Sequence, residues 1–231
     1  YALGVPQFAT SSSGRGSGVG GGGGGGSMMT MGEACYKPRR VESFALSDLR
    51  RNWSNSSSCD QKLDSSMEDA RHRTTWDGAV DSPAVAIAAS THHTLVSTQS
   101  GRLYAFGYGK SGRLGTGDEC HRPLPTPIFG QLTYRIVVSI SAAENHSLCS
   151  TSDGKVFAWG SNGFGQLCSR KDSDPTSSTS RLSPRRVEGS LKLSFVVAVA
   201  AGDRHSVALT KSGEVYCWGD NRSGELGIYN G

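Results

Sequence analysis

Three histidines, His93, His146 and His205, are the side chains best suited to chemistry in this sequence. An imidazole can bind a metal ion or act as a general base. However, the three histidines are 53 and 59 residues apart and occupy one position of a repeated pattern. A histidine that recurs in this way is typical of a structural hydrogen bond. We therefore expect each ring to bond to the backbone within its own repeat.

A glycine motif offers a second kind of chemistry. Gly107, Gly109 and Gly112 match the dinucleotide fingerprint and follow a predicted strand, but a nucleotide site also needs a helix directly afterwards to hold the pyrophosphate. The continuation RLGTGDECHRPLP is not helical. The Gly-Lys-Ser triplet at 109–111 lacks the upstream glycine of a P-loop, because Tyr104 stands there. We interpret these glycines as turn residues.

The cysteines and serines do not indicate a catalytic or metal centre. No two cysteines are spaced C-x-x-C, and no Cys/His pairs recur at zinc-site spacing. No serine lies in a G-x-S-x-G motif. The sequence therefore predicts a chain that is not an enzyme, with no cofactor, metal or small-molecule substrate. Reduced thiols are expected for the six cysteines, Cys35, Cys59, Cys120, Cys149, Cys168 and Cys217.

Composition limits the partners that the chain can have. Of 231 residues, 35% are hydrophobic and 19% are charged, and the net charge is +4. This charge is too small to indicate nucleic acid as the partner. No apolar run reaches the roughly 18 residues of a membrane-spanning helix. We expect no membrane partner, and a location in the cytoplasm, the nucleus or both.

Residues 1–80 have a different character from the rest of the chain. They contain a glycine homopolymer at 20–26 and several serine runs, and this composition predicts a disordered segment. Within it, Val41, Ala45, Leu49 and Trp53 recur every four residues and predict a short helix at 41–53. Such a helix would either cap the following domain or dock in the groove of a partner.

From residue 81 onward the chain consists of an internal repeat. The segments 93–115, 146–168 and 205–227 align without gaps. Each predicts a short buried strand upstream (85–89, 137–142 and 196–201), a second strand, a four-residue turn ending in glycine, and a third strand. Large aromatics followed by glycine close each third strand, and we expect them to pack between repeats: Phe106-Gly107, Trp159-Gly160 and Trp218-Gly219.

One such meander cannot bury both of its faces, so the copies must pack against one another. Radial packing of meanders gives a β-propeller. The sequence predicts an all-β fold, a partial propeller of about three blades at 85–128, 136–189 and 195–231. Cys168 replaces the glycine that stands at Gly115 and Gly227. If that position has a positive φ, cysteine is strained there by about 1 kcal/mol.

The pattern of a small residue, two positions, then His-Ser or His-Thr, followed by T-x-x-G and a G-x-[LI]-G loop, resembles the repeat of the regulator-of-chromosome-condensation family. That resemblance implies a seven-bladed propeller, which three repeats cannot close, so we expect a piece of a longer protein. GKSGRLGTGDE at 109–119, SPRRV at 183–187 and VAVAAGDRHSV at 197–207 are similar to the inhibitors of Bruton tyrosine kinase. This branch of the family implies ankyrin repeats upstream and BTB domains that recruit a cullin, although residues 1–80 show no ankyrin pattern.

The function that follows is protein binding through loops. The resemblance implies an adaptor for ubiquitin-ligase components, or alternatively a guanine nucleotide exchange factor for a small Ran-like GTPase, or a chromatin-associated propeller. Ser183-Pro184 is a candidate phosphorylation site. We predict a partner-binding loop after the first repeat, formed by Lys110, Arg113, Asp118, Glu119 and Arg122.

Overall fold

The computed structural model of the chain describes residues 82–168 and 180–228. The predictions for residues 1–80, including the helix at 41–53, lie outside these residues. The described part contains eleven strands and three short 3₁₀ turns. The strands are β1 (Ala84–Ala89), β2 (His93–Thr98), β3 (Leu103–Gly107), β4 (Arg122–Pro127), β5 (Val137–Ala142), β6 (His146–Thr151), β7 (Val156–Ser161), β8 (Ser180–Arg186), β9 (Val196–Ala201), β10 (His205–Thr210) and β11 (Val215–Gly219).

The strands form three antiparallel sheets, which we call blades 1 to 3. Blade 1 has the order β1-β2-β3-β4, blade 2 the order β5-β6-β7-β8, and blade 3 contains β9, β10 and β11. Each strand pairs with its neighbour along the chain, so every sheet is a meander. The predicted all-β class and the partial propeller of about three blades are confirmed.

Glycines set the turns between the second and third strands of each blade. Gly101, Gly154 and Gly213 have φ values of 81°, 74° and 88°, and the N–H of each donates to the threonine carbonyl three residues earlier. This left-handed conformation is the one that the final glycine of the repeat predicts. The turn fixes the register of the strands that it joins.

The fourth strand of blades 1 and 2 is absent from the sequence-based prediction. β4 has the sequence RPLPTP, with prolines at 123, 125 and 127. Prolines argue against a strand because they lack the N–H that a central strand must donate. β4 pairs with β3 alone and is an edge strand, so its prolines can face away from the ladder. They also protect that edge from pairing with another chain.

The hydrophobic core lies between the blades. One cluster joins the third strand of blade 1 to blade 2, and a second joins blade 2 to blade 3. In the first cluster Leu103 and Leu114 of blade 1 face Phe157 and Trp159 of blade 2. In the second, Val156 and Leu167 of blade 2 pack in the same cluster as Val196 of blade 3. The blades therefore stabilise one another, as the repeat predicts.

The prediction that every first strand is buried is wrong for blade 1. Ile87 in β1 is 76% exposed, whereas the equivalent Ile140 packs against the first core cluster and Val199 belongs to the second. The difference arises because β5 and β9 each face a preceding blade, and no described blade precedes β1. Burial at this position depends on the neighbouring blade and not on the strand itself.

Cys168 has the positive φ on which its expected strain depends. Gly115 and Gly227 have φ values of 74° and 64°, and Cys168 has a φ of 52°. The three residues close the same turn, because the N–H of each donates to the carbonyl of the glycine three positions earlier. Cys168 therefore occupies a left-handed position that favours glycine.

Candidate functional site

The repeated histidine links consecutive blades. His93 Nε2 lies 2.7 Å from Ser147 Oγ of blade 2, and Ser147 Oγ donates to the carbonyl oxygen of Arg113 at 2.8 Å. Trp159 Nε1 donates to the same carbonyl at 2.9 Å. We call this set the inter-blade latch: a histidine and a carbonyl from one blade, and a serine and a tryptophan from the next.

The latch recurs between blades 2 and 3 with the same geometry. His146 Nε2 lies 3.0 Å from Ser206 Oγ, and the carbonyl oxygen of Gln166 accepts from Ser206 Oγ at 2.8 Å and Trp218 Nε1 at 2.7 Å. The expected bond from each histidine to the backbone of its own repeat is therefore wrong for both rings. Each ring instead reaches across the interface to a serine of the next blade.

The hydrogen-bond inventory fixes the protonation of the latch. A serine hydroxyl has one hydrogen, and Ser147 donates it to a carbonyl, so it must accept from the Nε2–H of His93. Burial, followed by the charge of Arg113, lowers the pKa of His93 to about 3. Burial, followed by the charge of His205, lowers the pKa of His146 to about 4. Both rings are neutral near pH 7, which suits a structural role.

The two latches differ at the second ring nitrogen. Ser90 Oγ lies 2.9 Å from His93 Nδ1. Ala143 occupies the equivalent position in blade 2, and His146 Nδ1 is buried with no hydrogen-bond partner among the described residues. A buried polar atom without a partner destabilises the fold. The second latch is therefore the weaker by one hydrogen bond.

The glycine after each repeated aromatic holds the next loop against a hairpin. Gly107, Gly160 and Gly219 have φ values of 115°, 102° and 114°. A Cβ at each would lie 2.5 Å from the carbonyl oxygen of the residue before the repeated histidine, namely His92, Asn145 or Arg204. These positions require glycine for two reasons, the backbone conformation and the close approach.

The hairpins and the glycine-rich loops together form one end of the sheets, which we call the loop end. It comprises the hairpins 90–92, 143–145 and 202–204 and the loops 108–121, 162–168 and 220–228. The opposite end comprises the turns 99–102, 152–155 and 211–214 and the linkers 128–136 and 187–195, and we call it the linker end. Antiparallel strands place the two ends on opposite sides of each sheet.

The predicted partner-binding loop separates into interior and surface residues. Arg113 is only 3% exposed, and its guanidinium donates to the Glu144 carbonyl at 2.7 Å and to Asn145 Oδ1 at 2.8 Å. Arg122 is also buried and pairs with Asp118 at 2.7 Å. Lys110 and Glu119 are exposed. The two arginines thus hold the loop in place, and the lysine and the glutamate are available to a partner.

Aromatic side chains at the loop end escaped the sequence analysis. Tyr108 stacks on His121 with ring centroids 4.4 Å apart and lies 5.7 Å from His92. The Arg113 guanidinium lies 5.2 Å from the centroid of the Tyr108 ring. The alternation of the strands and the repeat pattern do not identify these residues as functional, because the residue types at these positions vary from copy to copy. Their positions offer a signal for two of them, because His92 directly precedes the latch histidine and Tyr108 directly follows Gly107. His121 has no such signal.

A second aromatic cluster lies between blades 2 and 3. Phe164 is 40% exposed, with Arg204 4.6 Å and Arg222 5.0 Å from its ring centroid. Arg222 also pairs with Asp220 at 2.7 Å. Exposed aromatics and arginines are the residue types enriched in protein interfaces. The loop end therefore carries two clusters in which an arginine lies beside an aromatic ring.

The described residues contain no group of three His, Cys, Asp or Glu side chains arranged to hold a metal ion. Cys149, Cys168 and Cys217 are free thiols, and burial raises the pKa of Cys149. Cys120 is disulfide-bonded, so the expectation of reduced cysteines does not hold at this residue. Within residues 82–168 and 180–228, no helix is long and apolar enough to span a membrane.

The repeats match two family models. One model of the regulator of chromosome condensation (RCC1) repeat matches residues 84–113, 137–166 and 196–225, and another matches 100–150 and 153–209. Together these matches cover more than half of the chain. The chain belongs to the RCC1 repeat family. The RCC1 matches include every residue of the two inter-blade latches.

Individual relatives agree with this assignment. The ultraviolet-B receptor UVR8 of Arabidopsis thaliana is 34% identical over 62% of this chain. The probable E3 ubiquitin-protein ligase HERC4 of Mus musculus is 36% identical over 64% of it. The matched regions are only 30% of UVR8 and 13% of HERC4. The chain thus spans less than a third of the length of these two relatives.

The fold agrees with a solved propeller of the family. The structure of yeast RCC1 (Prp20) bound to Kap60 superposes with a TM-score of 0.56 over 67% of this chain and 37% of that chain. The sequences are 22% identical. This match shows that the three RCC1 blades have the propeller fold.

Proposed function

We propose that the RCC1 repeats form a non-enzymatic protein-interaction module that binds its partner through the loop end. The observation that carries this proposal is the pair of aromatic and arginine clusters on the latched blades, in the first of which Arg113 donates to the Glu144 carbonyl and to Asn145 Oδ1. Rigid anchors lose little conformational entropy on binding. Of the sequence-predicted contact residues, Lys110 and Glu119 belong to this surface, whereas Arg113 and Arg122 support it.

We further propose that the module belongs to a larger adaptor that brings a partner to ubiquitin-ligase components in the cytoplasm or the nucleus. Two similarities support this role. The first is a proposed relation to the inhibitors of Bruton tyrosine kinase, on the motifs at 109–119, 183–187 and 197–207. The second is a 36% identical relative that is named a probable ubiquitin ligase. In that relative the matched region is 13% of the protein, so ligase chemistry would come from other parts of the chain.

The test compares two variants of the full-length protein. Phe164→Ala with Arg204→Glu removes an anchor and reverses an exposed charge at the loop end, whereas Arg185→Glu on β8 is an exposed control away from it. The amount of partner recovered with the loop-end variant should fall at least tenfold, since loss of an interface anchor costs about 2 kcal/mol or more of binding free energy. The control should retain them. Equal retention by both variants would refute the loop-end proposal.

An exchange assay separates the adaptor role from the Ran-like alternative. The full-length protein is mixed with a Ran-type GTPase that carries labelled nucleotide, and nucleotide release is followed. The adaptor proposal predicts the release rate of the GTPase alone. Acceleration that the loop-end variant abolishes would replace the adaptor role with nucleotide exchange.

A further inference from the structure

We propose that the linker end is a second docking surface, which binds a protein segment carrying apolar side chains beside carboxylates. Four large apolar residues are exposed there at two equivalent positions of consecutive linkers. Tyr134 and Leu193 are 75% and 95% exposed, and Ile136 and Phe195 are 53% and 46% exposed. Exposed apolar side chains clustered on one surface mark interaction sites.

The exposed side chains follow the short 3₁₀ turns of the linkers. Arg135 lies between Tyr134 and Ile136, and its guanidinium turns inward, 5.2 Å from the centroid of the Phe157 ring. Tyr134 and Ile136, which flank it, are both exposed. Ser194, between Leu193 and Phe195, is half-buried in the same manner. The repeat therefore presents the same pair of apolar positions twice.

A cavity beside the first pair can accept an apolar anchor. Its volume is about 240 Å³, and its floor includes the buried residues Leu103, Ile128 and Leu132. Tyr134 and Ile136 line the same cavity, together with Arg102 and Arg135. An apolar floor suits an apolar side chain of a partner. Arg135 is already paired with Asp153, so the carboxylates of the partner would meet the other basic residues of the linker end.

The charges of the two ends differ in sign and indicate an acidic occupant for the linker end. The linker end has five basic residues, Arg102, Arg135, Lys155, Lys192 and Lys211, against three acidic residues, Asp153, Glu188 and Glu214. The loop end has four basic residues, Lys110, Arg113, Arg204 and Arg222, against six acidic residues, Asp118, Glu119, Glu144, Asp203, Asp220 and Glu225. Because complementary charge favours encounter, an acidic segment would be directed to the linker end.

The test uses a library of 12-residue peptides displayed on phage and selected on the immobilised full chain. We expect enrichment of peptides in which Phe, Leu or Trp adjoins Asp or Glu. The variant Ile136→Ser with Leu193→Ser should weaken the selected peptide at least tenfold. The matched variant Phe164→Ser at the loop end should leave its affinity unchanged. Both variants alter exposed side chains, and circular dichroism checks that they remain folded.

Three outcomes would overturn the proposal. Selection of basic peptides would contradict the charge complementarity. If the selected peptide bound the linker-end variant as tightly as the unaltered chain, its site would lie elsewhere. A third result would be that no peptide is selected, while the full chain sediments with phosphatidylserine vesicles and the linker-end variant does not. This result would assign the surface to a membrane. Because the linker-end variant changes Ile136 and Leu193 and the loop-end variant changes Phe164 and Arg204, failure of one surface is distinguishable from failure of the other.

Discussion

At the residue scale, the latch explains why one histidine and one hydroxyl residue recur in every repeat. His93 and His146 each join a serine of the next blade to a loop carbonyl of their own. Sequence analysis could predict a structural histidine from its recurrence. It could not predict the partner, because Ser147 and His93 are 54 residues apart and come together only when the blades pack.

Restoring the missing partner of His146 should stabilise the fold. Ala143→Ser places a hydroxyl where Ser90 contacts the other latch histidine, and His146 Nδ1 has no described partner. We expect a gain of about 0.5–1.5 kcal/mol in the free energy of unfolding, measured by chemical denaturation. Ala89→Ser, at an exposed site on β1, is the control and should change stability little. A loss of stability in Ala143→Ser would show that the site cannot hold the hydroxyl.

Relief of the strain at Cys168 should also stabilise the protein. Cys168→Gly gives this left-handed position the residue that Gly115 and Gly227 provide in the other repeats. The expected gain is about 1 kcal/mol in the free energy of unfolding. Cys168→Ala retains the Cβ and removes only the thiol, so it should give no such gain. Equal stabilisation by both substitutions would mean that the sulfur, and not the backbone, is the source of the strain.

At the element scale, the sequence predicted three strands of each blade and missed the fourth. The period-two alternation and the turn glycines define β2, β3 and their equivalents. β4 has no such alternation, since it carries prolines at 123, 125 and 127, which an edge strand tolerates and a central strand does not. The buried state of the first strand could not be predicted either, since it depends on a preceding blade.

Two glycines of blade 2 with positive φ offer a matched pair for testing. Gly160→Ala adds a Cβ 2.5 Å from the Asn145 carbonyl at a φ of 102°, whereas Gly165→Ala, at a φ of 78°, meets nothing within 4 Å. Both substitutions introduce about 1–3 kcal/mol of backbone strain, and only the first also displaces a hairpin. The melting temperature should therefore fall further in Gly160→Ala. If the two variants melt together, the hairpin does not constrain the loop.

At the scale of the whole molecule, the buried neutral histidines make stability depend on pH. The folded-state pKa values are about 3 for His93 and about 4 for His146, below the ordinary value of 6.5. Protonation therefore favours the unfolded chain. Stability is fully present above pH 6.5 and is lost as the pH falls towards 4, by about 1.4 kcal/mol per pH unit for each histidine.

Chemical denaturation at several pH values between 7 and 4.5 measures this dependence. The matched variant is His93→Gln with His146→Gln, which removes both titrating rings. It should be less stable at pH 7 but should lose much less stability as the pH falls. The same slope in both proteins would mean that other groups cause the pH dependence.

The loop end is the part of the candidate site that sequence analysis predicted least well. The charged residues of the loop after the first repeat predicted Arg113 and Arg122 as contact residues. Both side chains are instead buried and bonded to groups of their own chain. Tyr108, Phe164 and Arg204 were not predicted, because their proximity depends on how loops and hairpins of adjacent blades meet.

The most direct test of this account is footprinting of the loop end with the natural partner bound. The full-length protein is isolated with its bound partners, exposed to hydroxyl radicals, and compared with the same protein after the partners are removed. We predict protection of Tyr108 and Phe164 in the complex, with no change at the exposed Val138 on β5. Unchanged oxidation of both aromatics in the complex would contradict the claim that the loop end is the binding surface.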